Sequence, residues 1–396
     1  MNRKIQSLIS IMLFAGLFVV GCAKAATPVP TATPSSTIST TPSTAAVTSA
    51  FGVILPTKDE PRWIQDQTRF NDAFTAAGYD VTILFSQGSS AMEKANVETL
   101  ISKGVKVIII CPQDASAAAA AADEARAAGI KIVSYDRLIR DTASVDYYVT
   151  FDSFAVGAAW STYMIQQAGS TKGNNLYLYA GAASDNNSFI FFEGAWEKIQ
   201  PKIADGTFVI KNSSEAVALQ ANPKLTRDQE AAIIGQISTN WDPATTQKLV
   251  QDNLTAASAA DKGTVYIISP DDYFSREIAD AFAADKDVTK YYISGQDAEV
   301  ASLQYIIDGK QSMTVLKDVR TLVADAISVA ETYLQGQIPV STTTYNNGKI
   351  DVPAKPSAIV TVTRANFYTA IIASGYWPES DFTNLNTVGD YPTLSS

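Results

Sequence analysis

The stretch GIKIVSYDRLIRD (residues 129–141) combines three features that together predict a fold. Gly129 is a typical helix stop, and the apolar run at 130–133 predicts a buried strand directly after it. The strand then leads into two charged residues, Asp136 and Arg137, which a closed core does not tolerate without partners. A buried strand followed by an ion pair indicates that its carboxyl end opens into a polar crevice.

The same order of helix, glycine and strand repeats through the N-terminal part of the chain. Helix stops fall at Gly78, Gly104 and Gly129, which are 26 and 25 residues apart. One of the intervening helices is predicted to open with a capping box of Ser90 and Glu93. The predicted strands cover 51–56, 105–111, 130–133, 176–180, 265–269, 291–294, 313–316 and 358–362.

This alternation of strands and helices predicts an α/β fold with parallel sheets covered on both faces and joined by right-handed crossovers. The chain from residue 51 onward is long enough for two lobes of ordinary size, so we expect two doubly wound lobes. In open sheets of this kind, ligands bind beyond the carboxyl ends of the strands. The pair Asp136 and Arg137 is therefore expected to face a binding crevice.

The first residues predict export. A short basic start precedes an apolar stretch that ends in VVGC at residues 19–22, which is typical of a secretory signal followed by a lipoprotein cleavage site. We predict a signal peptide at 1–21, lipidation of Cys22 with a diacylglyceryl group and palmitate, and an extended Ala/Thr/Pro/Ser tether at 22–49. An uncleaved membrane anchor is the alternative. Either way the rest of the chain is expected outside the cytoplasmic membrane and attached to it.

Composition excludes several kinds of chemistry. The sequence has no histidine, so a Ser-His-Asp triad and a histidine-ligated metal are excluded. After Cys22 only Cys111 remains, which allows no intrachain disulfide, and its apolar surroundings predict a buried small residue. The formal net charge is −10, or −12 without the signal peptide, and such a surface repels nucleic acid. We expect no cofactor, no bound metal and no nucleic-acid partner.

Polar side chains recur directly after the predicted strands, together with one tryptophan. They are Arg62, Trp63, Asp136, Arg137, Asp185, Asn186, Asn187, Asp271, Asp272, Gln296, Asp297 and Lys317. Taken singly, each has a simpler explanation, since Asp and Asn are preferred helix caps, a lone Lys or Arg is usually solvated, and a lone Trp is usually core. Taken together, they indicate a binding site at one edge of two sheets.

This mixture of side chains suits a neutral polyhydroxylated ligand. Sugar hydroxyls donate to carboxylates and accept from Arg, Lys and Asn, while the C–H face of a pyranose packs on an indole ring. Carboxylates beside Arg137 and Lys317 are expected to stay ionised when the cleft closes, because opposite charges lower the cost of desolvation. The sequence therefore predicts a sugar site.

Eight stretches of the sequence carry a family resemblance. They are PTKDEPRWIQD, SYDRLIRD, YYVTFDSFAVG, SDNNSFIFFEGA, WDPAT, ISGQDAEV, MTVLKDVR and YNNGKIDVP. They occur in this order between about residues 51 and 380, where the chain resembles the periplasmic sugar-binding proteins of ABC importers. The resemblance is to the branch that binds xylose and several other monosaccharides, and it covers nearly the whole mature domain.

The resemblance implies a type I periplasmic binding protein fold, in which two lobes are joined by a hinge of three crossing segments. The N-terminal lobe would comprise 50–153 plus about 318–352, and the C-terminal lobe 154–317 plus about 353–396. It also implies a monomer that closes over an aldopyranose such as xylose, glucose or galactose. The closed form would be presented to a membrane permease driven by a cytoplasmic ATPase.

The resemblance also assigns candidate ligand-binding residues to each lobe. The N-terminal lobe would supply Arg62, Trp63, Asp136 and Arg137, and the C-terminal lobe would supply Asp185, Asn187, Trp241, Asp271, Asp272, Asp297 and Lys317. Trp241 is similar to the family's stacking residue, and its context NWDPAT has proline in the first helical turn.

Two departures from the family pattern bear on specificity. Tyr273 and Phe274 are bulky where related proteins have a small residue, and the polar stretch 215–239 is longer than expected. Both changes fall near the expected sugar position, so a short oligosaccharide such as a cellodextrin is an alternative ligand.

Three other functions fit parts of the sequence. The same clamp can serve as a sugar sensor for a membrane receptor kinase, and sequence does not separate that function from transport. A glycosidase with two strand-end carboxylates is a second alternative, although neighbouring basic groups would keep those acids ionised. A sugar-responsive transcription regulator is a third, but the export signal and the absence of a basic helix-turn-helix segment before Phe51 argue against it.

Overall fold

The computed structural model describes residues 50–392. The predicted signal peptide (1–21), the lipidation site Cys22 and the tether (22–49) lie outside these residues, and so do 393–396. Among the helices of the described range, none is long and apolar enough to cross a membrane.

The described chain alternates strands and helices. The strands are β1 (Phe51–Leu55), β2 (Val81–Phe85), β3 (Val107–Ile110), β4 (Lys131–Tyr135), β5 (Tyr147–Phe151), β6 (Asn174–Leu178), β7 (Phe208–Ile210), β8 (Gly263–Ile268), β9 (Val288–Ile293), β10 (Met313–Lys317), β11 (Thr343–Asn346), β12 (Asp351–Ser357) and β13 (Ile359–Thr363). The α-helices are α1 (Pro61–Ala76), α2 (Ser90–Ser102), α3 (Ala118–Ala127), α4 (Ser153–Ala168), α5 (Asn186–Ala204), α6 (Ser214–Leu219), α7 (Arg227–Ile237), α8 (Pro243–Ala256), α9 (Asp272–Ala284), α10 (Val300–Ile307) and α11 (Val319–Leu334).

A seven-stranded sheet forms the first lobe, in the order β11-β12-β5-β4-β3-β1-β2. All neighbouring pairs are parallel except β11 with β12. Alternate side chains of β1 pack on opposite faces: Val53 faces the core beneath α1 and α11, and Ile54 faces the core beneath α2 and α3. The predicted doubly wound sheet is confirmed, with one antiparallel edge strand in addition.

The second lobe contains a four-stranded parallel sheet in the order β7-β6-β8-β9. Helices α4 and α5 cross closely on one face of it, because each has glycine at the crossing. A Cβ on Gly157 would lie 1.8 Å from the carbonyl oxygen of Phe191, and one on Gly194 would lie 2.1 Å from that of Phe154. The backbone of Phe191 in α5 therefore lies directly against Gly157 of α4.

Three segments connect the two lobes, as the family resemblance implied. They lie between β5 and α4, between β10 and α11, and between β12 and β13. The third of these segments follows β12, which pairs with β5 as far as Ser357. Beyond it, β13 pairs antiparallel with β10 in a two-stranded ribbon.

The predicted capping box of α2 is wrong. The N-cap is Ser89, whose side-chain oxygen accepts a hydrogen bond from the backbone N–H of Met92. Glu93 instead turns into the lobe, where it is 1% exposed and accepts hydrogen bonds from Ser86 and from the backbone N–H of Gln113. The sequence spacing fitted a cap, but burial of this face of the helix redirected the carboxylate.

Candidate functional site

A cavity lies between the two lobes, at the carboxyl ends of their strands. It is lined by Glu60, Arg62, Trp63, Asp136, Arg137, Asp185, Asn187, Phe191, Trp241, Asp271, Gln296, Asp297 and Lys317. The empty space among these side chains, counted together with the open solvent at its mouth, is about 310 Å³. The tertiary structure thus brings together ten of the eleven candidate ligand-binding residues, and Asp272 is the exception.

Local structure explains why these side chains converge. Asp136 follows β4 directly, Asp271 precedes α9, and Lys317 is the last residue of β10. Arg62 and Trp63 lie in the first turn of α1, which begins with a proline that favours a helix start. The cavity is therefore built from strand ends and helix starts, as expected for a doubly wound fold.

Ion pairs hold the two sides of the cavity together. Across the cleft, Arg62 Nη1 lies 2.9 Å from Asp297 Oδ1, and Arg137 Nε lies 3.0 Å from Asp185 Oδ2. In the opposite direction, Lys317 Nζ lies 3.8 Å from Asp136 Oδ2. Each cation of the cavity thus faces an acid of the other lobe, and the lobes are in a closed arrangement.

Cation contacts within each lobe complete the network. Arg62 Nε is 2.6 Å from Asp66 Oδ2, and Arg62 Nη2 is 3.0 Å from Asp136 Oδ2. Lys317 Nζ is 3.0 Å from Asp297 Oδ1. Asp66 also accepts a hydrogen bond from the Tyr135 hydroxyl behind the cavity wall. Arg62 is therefore shared among three carboxylates, which fixes its position.

Three cavity residues have left-handed backbone conformations. The φ angles are 59° for Asp136, 51° for Trp241 and 95° for Asp297. A positive φ is uncommon for residues other than glycine, and such conformations concentrate at ligand sites, where the surrounding structure enforces them. This local strain aims all three side chains into the cleft.

Two of the aspartates cap helices and line the cavity at the same time. Asp185 Oδ1 accepts from the backbone N–H of Asn187 at 2.8 Å, while its Oδ2 contacts Arg137. Asp271 Oδ1 accepts from the backbone N–H of Phe274 at 2.9 Å. The two explanations that the sequence left open, capping and cavity lining, both hold for these residues.

Aromatic rings enclose the cavity on both sides. Trp63 is 3% exposed and lies with its ring centroid 5.1 Å from the guanidinium carbon of Arg62 and 5.1 Å from that of Arg137. On the other lobe, Trp241 packs against Phe274 with ring centroids 5.9 Å apart. Gly181 makes room for this indole, since a Cβ there would lie 2.0 Å from Trp241 Cζ2.

Two buried polar atoms of the cavity wall lack partners within residues 50–392. They are Nε1 of Trp63 and Oε1 of Gln296, whose side chains are 3% and 2% exposed. The indole N–H lies near Glu60 but makes no hydrogen bond of normal geometry. An unpaired buried donor and acceptor cost free energy unless a ligand or water satisfies them.

Burial and ion pairing act in opposite directions on the cavity acids. Burial by itself would raise the pKa of Asp136, but Lys317, Arg62 and Arg137 outweigh it and hold that pKa below its ordinary value. At Asp185, burial outweighs the attraction of Arg137, so its pKa is raised. The cationic neighbours thus outweigh burial at Asp136 and do not outweigh it at Asp185.

Glu60 and Asp271 have no such compensation. Burial raises the pKa of Glu60 to about 7, with Arg137 opposing the shift only in part. Burial also raises the pKa of Asp271 well above its ordinary value, and the nearby carboxylates of Asp297 and Glu299 add to the shift. Glu60 therefore titrates near neutral pH, and Asp271 holds its proton to a higher pH than an exposed aspartate does.

Asp272 was predicted to bind ligand, but the structure places it behind the cavity wall. Its Oδ1 accepts from Gln311 Nε2 at 2.7 Å, and its Oδ2 accepts from the backbone N–H of Glu299 at 3.0 Å. Close packing there requires Gly295, because a Cβ at that position would lie 2.2 Å from Asp272 Oδ1. Asp272 therefore braces the loop that carries Asp297.

The two departures from the family pattern also lie outside the cavity. Tyr273 and Phe274 line an adjacent groove, where the empty space, counted together with the open solvent above it, is about 990 Å³. The stretch 215–239 forms α6 and α7 and contributes no side chain to the cavity lining of the described chain. Neither departure changes the cavity wall itself.

Two lining residues, Glu60 and Phe191, were absent from the strand-end residues that the sequence indicated, and Gln296 was in that set but not among the eleven candidate ligand-binding residues. Glu60 directly precedes α1, and Gln296 is the neighbour of Asp297 at the same strand exit. Phe191 lies inside α5, where its spacing is typical of a core residue. The signal for Glu60 and Gln296 was their position at strand ends, and for Phe191 the sequence held none.

Within the part of the chain that the structure describes, no cluster of acidic residues and cysteines has the arrangement of a metal site. The cavity acids that are paired contact Arg or Lys instead.

Comparisons with known proteins agree with this geometry. Residues 51–338 match the family described as the periplasmic binding protein domain. The multiple sugar-binding periplasmic protein SbpA of Azospirillum brasilense is 32% identical over 84% of this chain and 90% of its own. The D-xylose-binding periplasmic protein of Escherichia coli K12 is 28% identical over 81% of this chain and 88% of its own.

A solved structure is more similar still. A carbohydrate transporter solute-binding protein from Chloroflexus aurantiacus, crystallised in complex with D-glucose, is 68% identical, with a TM-score of 0.84. The match covers 85% of this chain and 98% of that one. The chain belongs to the periplasmic binding protein family, whose members act outside the cytoplasm, and its relatives are sugar-binding transport proteins. The predicted family and fold class are confirmed.

Proposed function

We propose that this protein is an extracytoplasmic solute-binding lipoprotein that captures an aldopyranose, such as glucose, xylose or galactose, and delivers it to an ABC permease. The observation that carries the proposal is the closed cavity, with its unpaired Trp63 donor and unpaired Gln296 acceptor beside several carboxylates. A sugar hydroxyl both donates and accepts, so one ring can satisfy both atoms. The glucose complex of the Chloroflexus aurantiacus relative supports a pyranose ligand.

Each cavity side chain has a role in the proposed complex. The acceptors for sugar hydroxyls are Asp136, Asp185, Asp271 and Asp297; the donors are Arg62, Arg137, Asn187 and Lys317; and the rings that pack on the sugar are Trp63 and Trp241. A small ligand touches both lobes only when the cleft is shut, so binding energy shifts the population toward the closed form. That form presents a surface from both lobes to the permease and its ATPase.

Calorimetry tests this proposal directly. We expect tight, metal-independent binding of at least one of xylose, glucose, galactose and arabinose, unchanged by EDTA. The same sugar should raise the melting temperature, because it binds only the folded clamp. Absence of heat with every aldose and short glucan would refute sugar binding.

A short oligosaccharide is a second candidate ligand, and one observation favours it. The groove lined by Tyr273 and Phe274 shares Glu60, Arg137 and Trp241 with the cavity, so a second ring linked to a bound sugar has adjacent space. In that case cellobiose through cellotetraose should bind more tightly than glucose. If glucose binds and the cellodextrins do not, the protein is a monosaccharide carrier.

We also propose that Cys22 is lipidated and that residues 22–49 tether the clamp to the membrane. The sequence before Cys22 supports this, as does membership of a family that acts outside the cytoplasm. Replacing Cys22 by Ser should release the protein from the membrane fraction. Mass spectrometry of the mature N-terminus identifies the acyl groups.

We further propose that the protein has no catalytic activity. Three of the five cavity acids are held by Arg or Lys as binding groups, and the relatives SbpA and the D-xylose-binding protein are named for sugar binding. Bound sugar should be recovered unchanged after prolonged incubation. Release of reducing sugar from a chromogenic glycoside would contradict this.

A further inference from the structure

The charges that line the cavity are unequal in number, which bears on the charge of the ligand. Five acids line it, Glu60, Asp136, Asp185, Asp271 and Asp297, against three cations, Arg62, Arg137 and Lys317. Asp136, Asp185 and Asp297 each contact one or two of the cations. Among residues 50–392, no cationic nitrogen forms an ion pair with Glu60 or Asp271.

The three cations are already engaged, so they are poor partners for a charged ligand. Arg62 contacts Asp66, Asp136 and Asp297, and its side chain is 3% exposed. Arg137 contacts Asp185, and Lys317 contacts Asp297. A carboxylate on the ligand would have to displace one of these acids. It would also enter a desolvated space that already holds two unpaired carboxyl groups.

The surroundings of the two unpaired acids are acidic on both lobes. The charged groups that act on Glu60 are Arg137, Asp185 and Asp297. Those that act on Asp271 are Asp297, Glu299 and Glu60, with Arg276 nearby but hydrogen-bonded to Glu299. An ammonium group placed in the cavity would therefore meet acids that lack a cationic partner.

We propose that Glu60 and Asp271 select ligands by charge: the cavity accepts amino sugars as well as neutral sugars, and it rejects the corresponding sugar acids. This inference rests on the proposed sugar-binding function and names the ligand class that the same site admits. The ammonium group of an amino sugar pairs with Asp271 and Glu60, which then lose their protons to solvent. A uronate finds no free cation and is excluded.

Ligands of nearly equal size and different charge separate the effect of charge on affinity from the effect of size. For the glucose series, we would measure affinity by calorimetry near pH 7 for glucose, 6-amino-6-deoxyglucose, glucuronate and glucuronamide. The galactose series provides a parallel set. We expect the amino sugar to bind at least as tightly as the parent, and the uronate to bind at least about 100-fold more weakly than its neutral amide, since a carboxylate that is buried without a cationic partner loses its hydration and gains no ion pair.

Two variants connect the effect to the named residues. The two ratios to compare are amino sugar against parent and uronate against amide. Asp271→Asn keeps an N-cap on α9 and removes an acid that can ionise against an ammonium group, so the amino sugar should lose at least about tenfold relative to the parent. Glu60→Gln should lower the same ratio. Asp280→Asn, on the exposed side of the same helix α9, is the control and should leave both ratios unchanged.

Protonation provides a second measurement. In buffers of different ionisation enthalpy, the wild-type protein should release protons when it binds the amino sugar. The preference for the amino sugar over the parent should weaken as the pH falls below 7, because Glu60, whose pKa is raised to about 7, then holds its proton.

The outcomes separate the inference from the function on which it rests. If a neutral sugar binds and the uronate binds within about threefold of its amide, charge selection is refuted while sugar binding stands. Charge selection is also refuted if the preferences are unchanged in Asp271→Asn and in Glu60→Gln. If no neutral sugar binds in either series, the proposed function and the inference are both refuted.

Discussion

The two sides of the cleft differ in charge and in the kind of group they offer. The first lobe contributes two arginines, Arg62 and Arg137, balanced by Glu60 and Asp136. The second lobe contributes three aspartates and one lysine, together with neutral amides and two aromatic rings. The guanidinium donors thus lie on one side and the surplus of acceptors on the other. Because of this difference, the two lobes attract each other across the cleft. A ligand therefore has to complete the network of ion pairs and hydrogen bonds as well as fill the cavity.

Removing Arg62, the cation that three carboxylates share, should weaken the attraction between the two lobes more than any other change. Arg62→Met leaves Asp66, Asp136 and Asp297 without the cation that they share. We expect a loss of about 3–5 kcal/mol in the free energy of unfolding and at least roughly 100-fold weaker sugar binding. Urea unfolding and calorimetry measure the two effects.

The control for this variant is Arg69→Met on the same helix, where the side chain lies away from the cavity. It should change neither quantity appreciably. If Arg62→Met bound sugar as well as the wild type, attraction across the cleft would not be part of recognition.

A second buried acid of the first lobe provides a pH test. Burial raises the pKa of Glu93 from 4.5 to about 7, against hydrogen bonds from Gln113 and Ser86. A raised pKa in the fold means that stability is complete below pH 4.5 and is lost as the pH rises through about 7, by about 3 kcal/mol in total. Glu93→Gln should remove this part of the pH dependence.

The measurement is urea unfolding at about pH 5 and pH 8, compared between wild type and variant. Glu98→Gln, on the exposed side of α2, is the matched control and should retain the wild-type difference. An unchanged difference in Glu93→Gln would mean that the carboxylate is ionised without penalty in the fold.

Trp241, an aromatic residue of the second lobe, should have the next largest effect on sugar affinity. Trp241→Ala removes the ring that packs on the sugar in the proposed complex, so binding should weaken by about 2 kcal/mol, or roughly thirtyfold. Trp241→Phe should recover part of the loss, because a smaller ring still offers a face. Equal affinity in all three proteins would remove Trp241 from the site.

The smallest expected effect comes from a residue that touches no ligand. In Gly181→Ala the new Cβ would overlap Trp241 Cζ2, so the indole must shift. We expect about tenfold weaker binding and a change in tryptophan fluorescence. Gly235→Ala, where a Cβ meets nothing within 4 Å, is the control and should leave affinity unchanged.

Much of the fold followed from local patterns. The glycine spacing and the apolar runs predicted the parallel sheets, because a strand buried on both faces requires continuous apolar residues. The antiparallel pairs, β11 with β12 and β10 with β13, were not predicted. Strands β10 and β13 lie far apart in the sequence, so their pairing depends on long-range contacts. Strands β11 and β12 have the polar pattern of edge strands, which gives little sequence signal for pairing.

The sequence predicted the types of residue that line the candidate site better than it predicted which individual residues do so. Asp271 and Asp272 are adjacent and chemically identical, yet only Asp271 lines the cavity. Successive residues at a helix start point about 100° apart, so the register of α9 decides which one faces the cleft. Phe191 was missed for a related reason, since the close crossing of α4 and α5 turns a core-like residue toward the cavity.

The sequence by itself determined which chemical groups stand at the strand ends and that two doubly wound sheets carry them, because periodicity and turn chemistry are local properties. Only the tertiary structure decided which acid meets which cation. The pairs Arg62 with Asp297 and Arg137 with Asp185 join residues of different lobes. The partners are selected by how the lobes close, and Glu60 and Asp271 are left unpaired by the same closure.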